Sequence, residues 1–263
     1  MPNIMKQLES LRQRIASYNE PEFPADLLQR LTIFQSEELF DLDFFGDTFE
    51  EGCIDLMGVL AQSDVAPHIR SLILRCPDAG ANRTRSWDLE PMLETEVSFS
   101  NLELFSIQLN QPGEHNCSII GSDFEEDGVL SKLLKQSPNL VELTIPSAPD
   151  ENFFEMGERP IQFLSVDAGY DTQGFISNLA KSSCFPDLSS LEWGEYTQTH
   201  LDDYLERCTS IENYRKLFGA KSFAKVSRFV WRNPVCSDQE IEELKKLRPG
   251  LQLLVIRTSA YYI

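Results

Sequence analysis

A frame of three apolar positions, apolar-x-x-apolar-x-apolar, returns seven times along the chain. The copies are Ile69, Leu72 and Leu74; Leu102, Phe105 and Ile107; Leu140, Leu143 and Ile145; Ile161, Leu164 and Val166; Leu188, Leu191 and Trp193; Val226, Phe229 and Trp231; and Leu251, Leu254 and Ile256. Their second positions lie 33, 38, 21, 27, 38 and 25 residues apart. Alternation within each copy predicts a short strand with one buried face. Pro67, Pro138, Pro186 and Pro249 each stand two residues before the first apolar position, where roughly 0.4 prolines would fall by chance. A proline there fixes φ and cannot continue a helix, so it marks a corner between helix and strand.

Helical stripes precede several copies. Leu130, Leu133 and Leu134 share one face before the strand starting at Leu140, as do Phe175, Ile176 and Leu179 before Leu188. Ile241, Leu244 and Leu247 do the same before Leu251, and Ser237 with Glu240 forms a capping box for that helix. Helix then strand, repeated, predicts an α/β protein with a parallel sheet of about seven short strands joined by helical crossovers. Longer spacings require insertions near residues 77–98, 110–124 and 194–212.

The stretches Ser137-Pro-Asn-Leu-Val-Glu-Leu-Thr-Ile145 and Phe185-Pro-Asp-Leu-Ser-Ser-Leu-Glu-Trp193 resemble the core motif of leucine-rich repeats, over roughly residues 50 to 257. The resemblance implies a solenoid, residues 49–263, with helices on its convex side and a binding surface on its concave sheet face. The asparagine that usually follows such strands is matched by Asn110 alone; Pro77, Ala148, Gly169, Tyr196, Pro234 and Ser259 stand at the other equivalent places.

Residues 1–48 read differently. Ile4, Leu8, Leu11 and Ile15 trace an amphipathic helix, and Leu27, Leu28 and Leu31 predict a second helix after Pro24. Together they predict an N-terminal helical cap covering the apolar end of the stack. The competing reading makes Phe40, Phe44, Phe45 and Phe49, interleaved with acids, a docking segment for a basic, apolar partner.

Charge narrows the function. The net charge is −19, yet residues 213–257 carry +6 and no Lys or Arg occurs between Arg30 and Arg70. Such acidity argues against general nucleic-acid binding, which requires clustered cations. No long apolar run or leader-like N-terminus predicts a membrane span or secretion, and six cysteines without a CxxC pair predict reduced thiols, hence a cytoplasmic protein. Phosphate-loop, dinucleotide, zinc-protease and esterase motifs are absent from the sequence. The three histidines, His68, His115 and His200, share no ligand spacing, and the acids Asp123 to Asp127 lack a calcium-loop pattern. Neither a catalytic residue, a metal nor a cofactor is expected.

The expected activity is therefore non-catalytic binding of a protein partner. Strand alternation turns the residues beside each frame outward, placing Glu142, Asp167 and Glu192 mid-surface and Arg228, Arg232 and Arg257 toward the C-terminal end. Phe163 is the apolar anchor of that surface, and Tyr170 and Tyr196 are contacts from the strand-end loops. Two alternatives stay open. One is an enzyme or small-ligand protein with its site at the carboxyl ends of the strands, around Asp167, Tyr170, Asp171, Glu195 and Tyr196. The other is an acidic immunity or inhibitor protein that masks a basic target.

Overall fold

The computed structural model describes residues 2–78, 84–94, 96–121 and 126–258. Its strands are β1 (Arg30–Ser36), β2 (Leu39–Phe45), β3 (Ile69–Arg75), β4 (Arg85–Trp87), β5 (Leu104–Ile107), β6 (Ser118–Ile120), β7 (Glu142–Ile145), β8 (Phe163–Asp167), β9 (Ser190–Gly194), β10 (Arg228–Arg232) and β11 (Gln252–Ile256). The helices are α1 (Pro2–Ser17), α2 (Glu51–Leu60), α3 (Glu90–Leu93), α4 (Val129–Gln136), α5 (Phe175–Lys181), α6 (Tyr204–Arg207), α7 (Ile211–Gly219) and α8 (Asp238–Leu247). None of the described helices is long and apolar enough to cross a membrane.

Nine strands form one sheet in the order β1-β2-β3-β5-β7-β8-β9-β10-β11. β1 and β2 are antiparallel, and every later pair is parallel. All three positions of the first six frames are at most 2 % exposed, and they share one continuous core with the inward stripes of the helices. Each such side chain contributes about 1.5–3 kcal/mol on burial. Leu72, Phe105, Leu143, Leu164, Leu191 and Phe229 lie in register across neighbouring strands, so the frame residues stack in columns.

The helices before β7 and β9 fall where the stripes place them, and Ser237 and Glu240 make both hydrogen bonds of the capping box. The insertions hold β4 and α3, β6, and α6; β4 and β6 pair with each other as a small parallel ribbon. Asn110 pins the ribbon's base, its Oδ1 accepting from the Ser118 amide at 2.7 Å and Arg85 Nη2 at 2.9 Å.

Several expectations are corrected. The sheet has nine strands rather than about seven, because residues 30–45 form a hairpin and not a second helix of a cap. Only α1 of the cap is helical, with Ile4, Leu8, Leu11 and Ile15 buried. Phe40, Leu42 and Phe44 point into the core while Asp41 and Asp43 point out, so Phe40 and Phe44 are not docking residues. Phe45 is covered by the Arg30 guanidinium at 4.0 Å. In the seventh frame, Leu253 rather than Leu254 pairs with Phe229. The strand has slipped by one position, which turns Leu254 outward at 49 % exposure and packs Leu253 and Val255 on the core. Leu247 is likewise exposed. The tail Ala260 to Ile263, a candidate cover for this edge, lies outside the described residues.

Candidate functional site

Among the described residues, alternation leaves the second face of the sheet without a helical layer, and the register arranges its side chains in rows. One row runs Asp41, Ser71, Leu104, Glu142, Phe163, Ser190, Arg228. The next runs Asp43, Ile73, Ser106, Thr144, Ser165, Glu192, Val230, Leu254. Neighbours in a row are separated by the strand spacing of about 4.8 Å, close enough for direct contact.

Charges collect at the two ends of these rows. At the β2–β3 end, Arg70 holds Asp41 in a two-pronged contact, with Nε to Oδ1 at 2.9 Å and Nη2 to Oδ2 at 2.5 Å, and Arg75 Nη2 holds Asp43 Oδ2 at 2.6 Å. At the β8–β10 end, Glu192 accepts from Arg228 Nη1 at 2.6 Å, Arg232 Nη1 at 3.1 Å and Ser165 Oγ at 3.3 Å. Arg232 Nη2 also reaches Asp167 Oδ1 at 2.9 Å. Gly194 stands between those last two strands: a Cβ on it would lie 1.9 Å from Asp167 Oδ1. Burial raises the Asp167 carboxyl above its usual range, and the neighbouring Arg232 cation works against that rise.

Between the charged ends the surface is apolar and open. Ile73, Leu104 and Phe163 are half-buried. A depression of about 460 Å³ lies on this face, with Ile73, Leu104, Val141 and Glu142 among its walls. Glu142 is exposed and has no ion pair among the described residues, whereas Arg70, Arg75, Arg228 and Arg232 are all engaged.

Of the expected contact residues, Glu142, Phe163, Asp167, Glu192, Arg228 and Arg232 share this face. Tyr170 sits in the loop after β8, its Oη 3.2 Å from Thr84 Oγ1 at the start of the ribbon; Gly169, at φ +66°, makes that turn possible. Tyr196 and Arg257 do not belong to the surface. Tyr196 is 1 % exposed and packs beside Tyr204 in the core. Arg257 follows the slipped strand and turns to Asp238 Oδ1 at 2.8 Å and the Cys236 carbonyl at 3.1 Å, on the α8 side.

The strand-end constellation Asp167, Tyr170, Asp171, Glu195 and Tyr196 does not converge on a ligand cavity. Space at that end, lined in part by Asp167, Gly194 and Arg232, amounts to about 50 Å³. Glu195, 2 % exposed, turns inward as an acceptor. Its Oε1 receives the amides of Tyr196 and Thr209 and the Thr209 hydroxyl, each at 3.2 Å. Its Oε2 receives Tyr214 Oη at 2.6 Å and Trp193 Nε1 at 3.3 Å. Trp231 Nε1 in turn donates to Tyr214 Oη at 3.0 Å. Burial, and next to it the Glu195 charge, pushes the Tyr214 hydroxyl well above its ordinary pKa.

The six cysteines are free, and five of them are buried; burial first of all pushes Cys208 up to about 12 and Cys236 to about 11. Glu126 caps α4, its carboxylate accepting from the Leu130 and Gly128 amides; Asp123 and Glu125 lie outside the described residues. Compared with models of protein families, with curated proteins and with solved structures, the chain shows no match.

Proposed function

We propose that this chain is a non-catalytic interaction module, a leucine-rich-repeat-like stack that takes a protein partner on the uncovered face of its sheet. The observation that carries the reading is the half-open apolar strip of Ile73, Leu104 and Phe163, set around Glu142, which is without an ion pair among the described residues, and bracketed by two ion-pair clusters. Exposed apolar groups rimmed by polar ones are the signature of an interface, whose energy concentrates in a few anchors. Glu142 favours a partner that brings a cation beside its apolar anchor. The free, largely buried cysteines fit a reducing compartment such as the cytoplasm.

The test compares variants of the two faces in affinity capture followed by mass spectrometry, then in titration with the partner so found. Phe163→Ala combined with Arg228→Ala is expected to weaken binding at least about tenfold. Glu242→Ala combined with Lys246→Ala on the exposed side of α8 leaves binding unchanged. Equal or greater loss from the α8 pair refutes the assignment of the sheet face.

A further inference from the structure

A second surface lies where α2 meets the β4–β6 ribbon. Residues 53, 54 and 57 fall on one face of α2, and together with the ribbon they border a cavity of about 490 Å³. Its apolar wall is made by Phe49, Ile54, Met57, Pro91 and Ile119. Phe49 and Ile54 are 63 % and 58 % exposed, although Leu56, Met57 and Leu60 of the same helix are buried. Two large side chains thus stand uncovered at the lip of a cavity whose volume lies within the range of about 300–1,000 Å³ seen for binding pockets.

The chemistry of the rim is one-sided. Asp88 lines the cavity, Asp47 and Glu50 stand on either side of the lining pair Thr48 and Phe49 in the chain, Glu51 opens the helix, and none of the four is ion-paired among the described residues. Asp47 and Asp88 both bear on the Cys53 thiol in the same wall. No Lys or Arg is among the described residues that line it. A further unmet group sits in the wall: the Thr48 hydroxyl is buried and has no hydrogen-bond partner among the described residues. Buried hydroxyls are nearly always paired, so an orphan at a cavity wall points to a missing partner.

We propose that this cavity docks a basic, extended protein segment that inserts one bulky apolar side chain between Phe49, Ile54 and Met57 while its cations meet Asp47, Glu50, Glu51 and Asp88. A polar group of that segment completes the Thr48 hydroxyl. Anionic metabolites and nucleotides are repelled by the same four carboxylates, and a neutral apolar ligand would leave both the rim and the hydroxyl unused. The site shares no residue with the sheet face and stands independently of it.

The probe is a fluorescein-labelled, lysine-rich peptide with one central phenylalanine, titrated against the full chain by anisotropy while the Ile54 and Met57 methyl resonances are followed. Saturable binding is expected, with shifts centred on those two methyls. Replacing the central phenylalanine by alanine, raising the salt, or introducing Ile54→Lys is expected to weaken binding at least about tenfold. Ile54 is mostly exposed, so that variant is expected to keep its unfolding midpoint; Glu50→Lys with Glu51→Lys gives a second test without touching the apolar wall. Phe163→Ala with Arg228→Ala leaves this binding unchanged. The proposal is overturned if the alanine-centred peptide binds equally well, which indicates plain charge attraction. It is equally overturned if the shifts map elsewhere, or if the Ile54 methyl already contacts a side chain of this chain and the peptide does not bind.

Discussion

Glu195 offers the sharpest check on the energetics of the fold. Five donors end on its carboxylate inside the core, and no cation pairs with it among the described residues. Glu195→Gln retains an oxygen for the Tyr196 amide and the Thr209 amide and hydroxyl. It places an NH2 where Oε2 stood, facing the Trp193 indole N–H and the Tyr214 hydroxyl. Trp193 Nε1 then has no acceptor, and Tyr214 Oη, already receiving Trp231 Nε1 at 3.0 Å, must accept twice. One buried donor left unsatisfied costs about 1–3 kcal/mol. Because a kcal/mol corresponds to about 2–4 °C in a domain of roughly this size, the Gln variant is expected to melt about 2–12 °C below the wild type. Glu195→Ala strands all five donors and opens a cavity, at a cost of about 3–5 kcal/mol or more. Urea unfolding at neutral pH and calorimetry measure both variants. A Gln variant as stable as the wild type would mean that the two contacts on Oε2 contribute no net acceptor energy, and the account of this network would fall.

Two other predictions concern the charged end of the sheet face. Gly194→Ala drives a methyl into Asp167 Oδ1 and close to Arg232 Nε, so it is expected to cost about 1–3 kcal/mol by overpacking and to release the Arg232 guanidinium; an unmoved Arg232 Nε–H resonance together with an unchanged unfolding midpoint counts against it. Asp167 predicts a pH effect. Its native pKa is raised above that of an unfolded aspartate, near 3.8, so between the two values the native state keeps a proton that the unfolded state has lost. Stability therefore falls as pH climbs through that window, and Asp167→Asn is expected to flatten that part of the difference profile measured by denaturant unfolding. A variant profile parallel to the wild type there refutes the raised value.

How much of this was legible in the sequence depends on how far each signal reaches. The six inward triplets are readable because strand alternation and burial coincide in them, and Pro67, Pro138 and Pro186 mark where three of them begin. The eighth copy of the frame, Leu39, Leu42 and Phe44, stands 30 residues before Leu72 yet hides in an acidic run. Asp41 and Asp43 look like a charged tail until Arg70 and Arg75 arrive from the next strand to pair with them. The last copy is ambiguous for the opposite reason. Leu251, Leu253, Leu254, Val255 and Ile256 satisfy either phase of alternation, and only pairing with β10 selects Leu253 and Val255 as the inward set. Glu142, Phe163, Glu192, Arg228 and Arg232 face outward because outward positions follow from inward ones. The inward turn of Tyr196 and Glu195 is not readable in this way, since a loop of polar residues after a strand reads as solvated. Their burial is set by Thr209 and Tyr214, which belong to the insertion and the helix that follows it.

The ribbon of β4 and β6 has a consequence for how such a chain acquires new surface. In a parallel sheet every crossover leaves from the same edge, so segments added after β3 and after β5 emerge side by side and can pair with each other. Growth at that margin disturbs neither the stacked columns nor their register, and two unrelated additions become neighbours by geometry alone. The molecule can in this way diversify along one border while the interior that specifies its shape stays constant.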